Sequence, residues 1–96
     1  PIPATAAEIG QAYAAVAAEL AQQVRANWTD QTLLVEDDMY GEKWARGRSA
    51  RIVLDHQTHH RGQLTVLMRQ AGLTVPGVYG PSKEEWVAYG APAPEI

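Results

Sequence analysis

The chain has 96 residues, a formal net charge of −3 at pH 7 and no cysteine. Its length predicts one small domain over residues 1–96, with a thin hydrophobic core. A mildly acidic chain lacks the clustered positive charge that phosphate backbones require, which disfavours nucleic-acid partners. Without cysteine there is no disulfide and no thiolate metal site, so any metal would be held by nitrogen and oxygen.

Basic residues cluster in one place, and four acidic residues precede or interrupt the cluster. We interpret this stretch as a solvated or salt-bridged surface. The basic residues are Lys43, Arg46, Arg48 and Arg51, and the acids are Glu36, Asp37, Asp38 and Glu42.

No apolar run approaches the roughly 18 residues that a membrane span requires, and the N-terminus has no signal-peptide pattern. We therefore expect no membrane partner and a cytoplasmic location. Because the chain opens with Pro1 rather than Met, it is either processed or one piece of a longer protein. The sequence leaves both explanations open.

The first predicted element is a helix that begins after Thr5 and runs to about Asn27. Thr5 and Glu8 have the spacing of a capping box. Apolar residues then recur at intervals of three and four, which is typical of one helical face. This apolar stripe consists of Ile9, Tyr13, Val16, Leu20, Val24 and Trp28.

From residue 28 to residue 47 the helical period is lost, and two short apolar runs there are either extended or packed across the end of a bundle. A second long helix is predicted from Ser49, an N-cap candidate, to Ala71, with Gly72 at the left-handed C-cap position.

Near the C-terminus, Ser82 and Glu85 repeat the capping-box spacing and predict a short helix. The predicted fold is therefore all-α, with two long antiparallel helices and a short C-terminal helix.

Three histidines lie in the second predicted helix. His56 and His60 are four residues apart and share a face, so they can direct two imidazoles at one ion. Neutral imidazole suits Zn, Ni, Cu and Fe(II), although an isolated pair of this kind is also an ordinary polar feature of helices. His59 lies about 100 degrees around the helix from His60, which favours a packing or hydrogen-bonding role. Gln57 stands where the zincin motif has its general-base Glu, which disfavours a thermolysin-like peptidase.

A larger set of residues, in order along the chain, resembles the last long helix and exit loop of DinB/YfiT-like proteins. The resemblance extends over roughly residues 49 to 86 and implies an antiparallel four-helix bundle in which three histidines bind a divalent metal. It makes this chain the C-terminal half of such a metalloenzyme, without the upstream helices, and implies that His56 and His60 are ligands. Arg61 and Gln63 would support these ligands or pack in the bundle. The matching positions are His56, His59 to Leu64, Leu67, Arg69, Ala71, Gly72, Val75, Pro76 and Tyr79 to Ser82.

The chain departs from this family in its histidines. The third family histidine comes from an upstream helix, and no histidine occurs here outside positions 56 to 60. We expect two chains to pair about a twofold axis and rebuild a four-helix bundle, because each long helix has an apolar face wide enough for more than one neighbour. Two pairs of His56 and His60 would then meet, or water and oxygen from the four acids named above would complete the site.

Two functions stay open. The resemblance implies a divalent-metal enzyme, with Zn or Ni expected and Fe or Mn as alternatives, that acts as a thiol-dependent S-transferase or isomerase. It implies a small-molecule substrate and a small thiol such as bacillithiol or mycothiol. An open metal position would lower the pKa of a bound thiol or water and act as a Lewis acid. The alternative is a non-catalytic helical module for dimerisation or metal binding, which the incomplete histidine set favours. No catalytic residue is assigned.

Overall fold

The structure is a computed structural model that describes residues 1–95. It forms two compact units, the first ending at Arg48 and the second beginning at Ser49. Its elements in chain order are helix α1 (Ala6–Asn27), a 3₁₀ turn (Thr32–Leu34), strands β1 (Glu36–Met39) and β2 (Glu42–Ala45), helix α2 (Arg46–Gln70) and a 3₁₀ helix (Lys83–Tyr89).

Helix α1 has the predicted bounds because its predicted capping box forms. The Glu8 amide donates to the Thr5 hydroxyl oxygen at 3.2 Å, and the Thr5 amide donates to a Glu8 carboxylate oxygen at 3.0 Å. A further bond from the Ala4 amide, together with the Thr5 bonds, holds the pKa of Glu8 below its ordinary value. At the other end, the Trp28 amide donates to the Val24 carbonyl at 3.0 Å.

The all-α prediction is wrong, because residues 36 to 45 form a β-hairpin. Strands β1 and β2 are antiparallel, with Glu36 opposite Ala45 and Met39 opposite Glu42. The two residues between them, Tyr40 and Gly41, both have positive φ, at 54° and 84°. Two-residue turns of this kind are favoured because their twist matches that of the flanking strands. The connection is thus an ordered element rather than an irregular loop.

Helix α2 begins three residues earlier than predicted, because strand β2 runs directly into it. The Arg46 amide donates to the Val35 carbonyl at 2.8 Å, next to the pair of Glu36 and Ala45. Ser49 therefore lies inside the helix and is not its N-cap. Its hydroxyl is buried without a hydrogen-bond partner among residues 1–95.

An ion pair ties the hairpin to the first residue of α2. The Arg46 guanidinium donates to both carboxylate oxygens of Asp37, at 2.9 and 2.7 Å, which is the bidentate geometry that favours arginine. This contact lowers the pKa of Asp37 and raises that of Arg46. Lys43 pairs with Asp38 at 2.8 Å, so the salt-bridged interpretation of this stretch is confirmed for both cations.

Aromatic rings of the first unit lie close to its arginine side chains and to one another. The Arg46 guanidinium lies 5.9 Å from the ring centroid of Trp28, and the Arg48 guanidinium lies 4.3 Å from that of Trp44. The Tyr40 and Trp44 rings lie 5.9 Å apart. Guanidinium groups at these distances from an indole face are attracted by its quadrupole. Charge and aromatic contacts therefore accompany the strand pairing of the hairpin.

In the second unit, α2 ends at Gln70, one residue before the predicted end. Gly72 has a φ of 72° and its amide donates to the Arg69 carbonyl, while the Leu73 amide donates to the Met68 carbonyl at 3.0 Å. These bonds satisfy carbonyls at the helix end, so the predicted C-cap is confirmed.

The segment after α2 folds around the carboxylate of Glu85. One oxygen accepts from the Gly77 amide at 2.8 Å and the other accepts from the Ser82 amide at 3.1 Å. Arg69 also pairs with Glu84. The predicted short C-terminal helix is present, as a 3₁₀ helix that begins after Ser82. Val75, which is 5% exposed, is the buried hydrophobic residue of the described chain.

The apolar faces of both long helices are exposed in the described chain. In α1 the exposed fractions of Ile9, Tyr13, Val16 and Leu20 lie between 48% and 66%. In α2 the values for Leu64 and Leu67 are 56% and 61%. The named residues of both stripes are therefore helical and exposed, whereas Val24 and Trp28 at the end of the α1 stripe are half-buried.

Within residues 1–95, no helix is both long and apolar enough to cross a membrane. The cytoplasmic location and the single domain over residues 1–96 stay predictions.

Candidate metal centre

His56 and His60 lie one turn apart on α2, and their rings meet. Their Nε2 atoms are 2.9 Å apart, with ring centroids at 4.5 Å and an interplanar angle of 77°. The continuous helix provides this approach because residues four apart are neighbours on its surface. Both side chains are exposed, so the convergence of the rings agrees with the sequence prediction while their burial in a bundle stays a prediction.

The amide of Gln63, one turn further along α2, holds the other side of the His60 ring. Its Oε1 lies 2.8 Å from Nδ1 of His60. An amide oxygen only accepts, so this orientation of the Gln63 amide requires the hydrogen of His60 to lie on Nδ1. In that tautomer Nε2 of His60 would be the acceptor of the contact with Nε2 of His56. The resemblance implies a supporting role for Gln63, but the sequence does not show which atom its side chain contacts.

His59 is a close neighbour of the pair. Its ring centroid lies 5.1 Å from that of His60 and 6.3 Å from that of His56. No group of three His, Cys, Asp or Glu residues in the described part of the chain is arranged to hold a metal ion. His59 is therefore placed beside two converging nitrogens without forming a third ligand. Arg61 donates to the Gln57 amide oxygen at 3.2 Å.

Three of the four carboxylates suggested as oxygen ligands have partners inside the first unit. Asp37 uses both oxygens on Arg46, and Asp38 pairs with Lys43. Glu42 accepts from the indole Nε1 of Trp44 at 2.9 Å. The spacing of these residues along the sequence gave no sign of the pairing, because it depends on the register of the hairpin. A ligand role for any of the three would require breaking a contact that the hairpin already makes.

The donor set of the histidine pair fits a divalent ion. Metal-to-imidazole bonds are about 2.0–2.1 Å long, so two nitrogens on one ion are about 2.9 Å apart at a right angle and about 3.3 Å apart at the tetrahedral angle. The 2.9 Å between the two Nε2 atoms lies at the lower end of this range, so the pair could hold one ion with little movement of the rings.

Comparison with known proteins identifies the family. A family model described as the DinB family matches residues 3–94. The chain belongs to the DinB family. The match reaches well beyond the residues 49–86 that carry the resemblance in the sequence, so α1 and the hairpin are also parts of a DinB-like domain.

Two similar proteins show how much of a DinB-like chain is present here. The chain is 45% identical over 96 residues to the uncharacterized protein YrdA of Bacillus subtilis (strain 168), and spans 58% of its length. A crystal structure of a DinB-like protein from Bacillus cereus ATCC 10987 is 43% identical, with a TM-score of 0.77. That match covers 82% of this chain and 53% of the other. The chain thus spans little more than half the length of these relatives.

Proposed function

We propose that this DinB-family chain binds a divalent metal ion through Nε2 of His56 and Nε2 of His60. The observation that carries the proposal is the convergence of these two nitrogens, 2.9 Å apart, from one turn of α2. Both side chains are exposed, so an ion can reach them from solvent. Zn²⁺ and Ni²⁺ are the expected ions, with Fe²⁺ and Mn²⁺ as alternatives.

We propose further that a second copy of the chain completes the site. Two nitrogens leave the coordination of any of these ions unfinished, and the described residues offer no third ligand beside them. The exposed stripes of α1 and α2 are apolar surfaces of the kind that mark association sites. Pairing about a twofold axis would bring together two α1 and two α2 helices, and with them two histidine pairs.

The proposed reaction is thiol-dependent S-transfer or isomerisation of a small molecule. A bound divalent ion supplies Lewis acidity and lowers the pKa of a thiol or water in an open position. The chain's own part is to hold the two imidazoles at a fixed separation on one helical turn, with His60 oriented by Gln63. A small thiol would be the second reactant.

The alternative proposal is a metal-binding or dimerisation module without catalysis. The partnered carboxylates of the hairpin favour it, because a general acid or base needs a group that is free to exchange a proton. A thiol-transfer assay with a generic aryl halide electrophile separates the two. Turnover that disappears in His56→Ala and His60→Ala supports the enzyme, and metal binding without turnover supports the module.

The metal assignment is tested by the metal content of the chain after purification without chelator. We expect His56→Ala and His60→Ala each to lower the metal content at least tenfold, because one imidazole does not hold the ion alone. His59→Ala is the matched control, since it removes a neighbouring imidazole that does not share the 2.9 Å contact. Equal metal content in all four proteins would end the assignment.

Light scattering on the same samples should give the mass of two chains, and a mass of one chain would contradict the pairing.

A further inference from the structure

We infer that Gln63 is a positioning residue that fixes His60 as the Nδ1–H tautomer. Nε2 of His60 then carries a lone pair rather than a hydrogen before any ion is bound. The tautomer of His60 is one part of this inference. The other part, that this tautomer prepares His60 to bind a metal ion, rests on the proposed function. The tautomer itself is a property of the metal-free chain and can be measured without any ion.

The inference follows from an ordered chain of three polar groups. The Gln63 amide oxygen accepts from Nδ1 of His60 at 2.8 Å, and Nε2 of His60 accepts from Nε2 of His56 at 2.9 Å. In this order His56 donates to His60, and His60 donates to Gln63. The opposite orientation of the Gln63 amide would reverse both bonds, giving His60 the hydrogen on Nε2 and leaving its lone pair on Nδ1, on the wrong side of the ring. The two orders therefore predict opposite tautomers for both histidines.

This order gives the two proposed ligands different tautomers. His60 is already in the tautomer that ligates through Nε2. His56 carries its hydrogen on Nε2 while it donates to His60, so it must change tautomer before both nitrogens can hold an ion. In that change one proton leaves Nε2 of His56 and one proton from solvent binds Nδ1, with no change in charge. We therefore expect His60 to be the first ligand to bind and His56 the second.

Gln63 can fill this role because of its position and its chemistry. It lies three residues after His60, on the same helical face, so it contacts the ring without any change in the backbone. Histidine ligands of metals commonly donate the second ring nitrogen to an oxygen acceptor, and loss of that acceptor typically lowers metal affinity about 10- to 100-fold. Gln63 is exposed, so water competes for the same hydrogen and we expect the lower end of that range.

The test is nitrogen NMR on the metal-free chain with ¹⁵N-labelled histidine, at a pH of about 8 chosen above the ordinary imidazole value of about 6.5. In the wild type we expect the hydrogen of His60 on Nδ1 and that of His56 on Nε2. Gln63→Leu removes the acceptor and should shift His60 toward the Nε2–H form. Gln63→Glu restores an oxygen acceptor and should restore the Nδ1–H form. Gln11→Leu, in α1, is the control for replacing an exposed helical glutamine, and should change neither histidine.

Zinc titration of the same proteins separates this inference from the proposed function. We expect Gln63→Leu to weaken zinc binding about tenfold and Gln63→Glu to recover it. A wild-type His60 with its hydrogen on Nε2, or a His60 signal that Gln63→Leu leaves unchanged, would overturn the positioning role. Zinc bound equally well by the wild type and Gln63→Leu would overturn it while leaving the metal site intact. If the wild type bound no zinc, the proposed function would fail. The role of His60 as a metal ligand would fail with it, whereas its tautomer would not be affected.

Discussion

The hairpin of the first unit pairs its polar side chains by charge. The histidine turn of the second unit, residues 56–60 of α2, pairs its polar side chains without opposite charges. In the hairpin, Asp37 faces Arg46 and Asp38 faces Lys43, so each carboxylate is neutralised by a cation of its own unit. In the histidine turn, the Nε2 atoms of two uncharged or singly protonatable rings, His56 and His60, face each other at 2.9 Å with no carboxylate of residues 1–95 between them. A ligand at the hairpin would therefore have to break an ion pair of the fold, whereas one at the histidines would not. Removing the hairpin charges should cost stability, whereas removing the histidines should cost binding.

The strongest test of the second unit is Gly77→Ala. A Cβ at residue 77 would collide with the Gly80 carbonyl oxygen and with the Glu85 carboxylate that accepts from the Gly77 amide. Since a backbone oxygen cannot move aside as a flexible side chain does, we expect a loss of unfolding free energy on the order of 3 kcal/mol. Urea unfolding followed by circular dichroism measures it.

Gly10→Ala is the control for this substitution, because a Cβ at residue 10 of α1 meets nothing within 4 Å. It should stabilise the chain by about 1 kcal/mol, the helix-propensity difference. Equal stability of Gly77→Ala and the wild type would show that the loop is not built around that glycine.

A smaller effect is expected from Asp37→Asn, which keeps the shape of the side chain and removes its charge. The pair of Asp37 and Arg46 is bidentate and its side chains are 36% and 29% exposed, so solvent screens it only in part. We expect the variant to unfold at a lower urea concentration and the hairpin amides to exchange faster with deuterium.

Asp38→Asn is the matched variant for that experiment. Its pair with Lys43 has side-chain exposures of 75% and 60%, and exposed pairs contribute little to stability. A shift as large in Asp38→Asn as in Asp37→Asn would mean that net charge, and not the Arg46 contact, holds the hairpin.

The smallest expected effect is an acid dependence of the second unit. Arg69 is the main cause that lowers the pKa of Glu84 from 4.5 to about 2. A carboxyl whose folded pKa is depressed stabilises the fold above its unfolded pKa, and this contribution is lost as the pH falls through the folded pKa. We therefore expect part of the stability to disappear between about pH 4.5 and pH 2. Glu84→Gln should remove that part of the pH dependence, and an unchanged acid profile would argue against the pair.

Local signals predicted the helical parts of the fold well. The capping box at Thr5 and Glu8 set the start of α1, and Gly72 set the end of α2, because each signal acts within a few residues of the helix end that it fixes. The hairpin was missed because strands of four residues give no measurable helical or strand period. The available signal was Gly41, which supplies one of the two positive φ angles in the turn.

In the candidate site, too, only contacts between residues close in sequence could be predicted. The approach of His56 and His60 follows from four-residue spacing on a helix. The contact of Gln63 with Nδ1 of His60 depends on side-chain rotamers, which spacing does not determine. The partners of Asp37 and Glu42 depend on strand register. Both residues therefore looked available as metal ligands from the sequence, although the hairpin already uses their carboxylates.

The hairpin turn also contains a natural fluorescence donor and acceptor. Tyr40 sits at the turn with its ring 5.9 Å from that of Trp44 on the opposite strand. At so short a range an excited phenol passes its energy to an indole with little loss. Parting of the two strands would separate this natural donor and acceptor, and the tyrosine emission would brighten without any added dye.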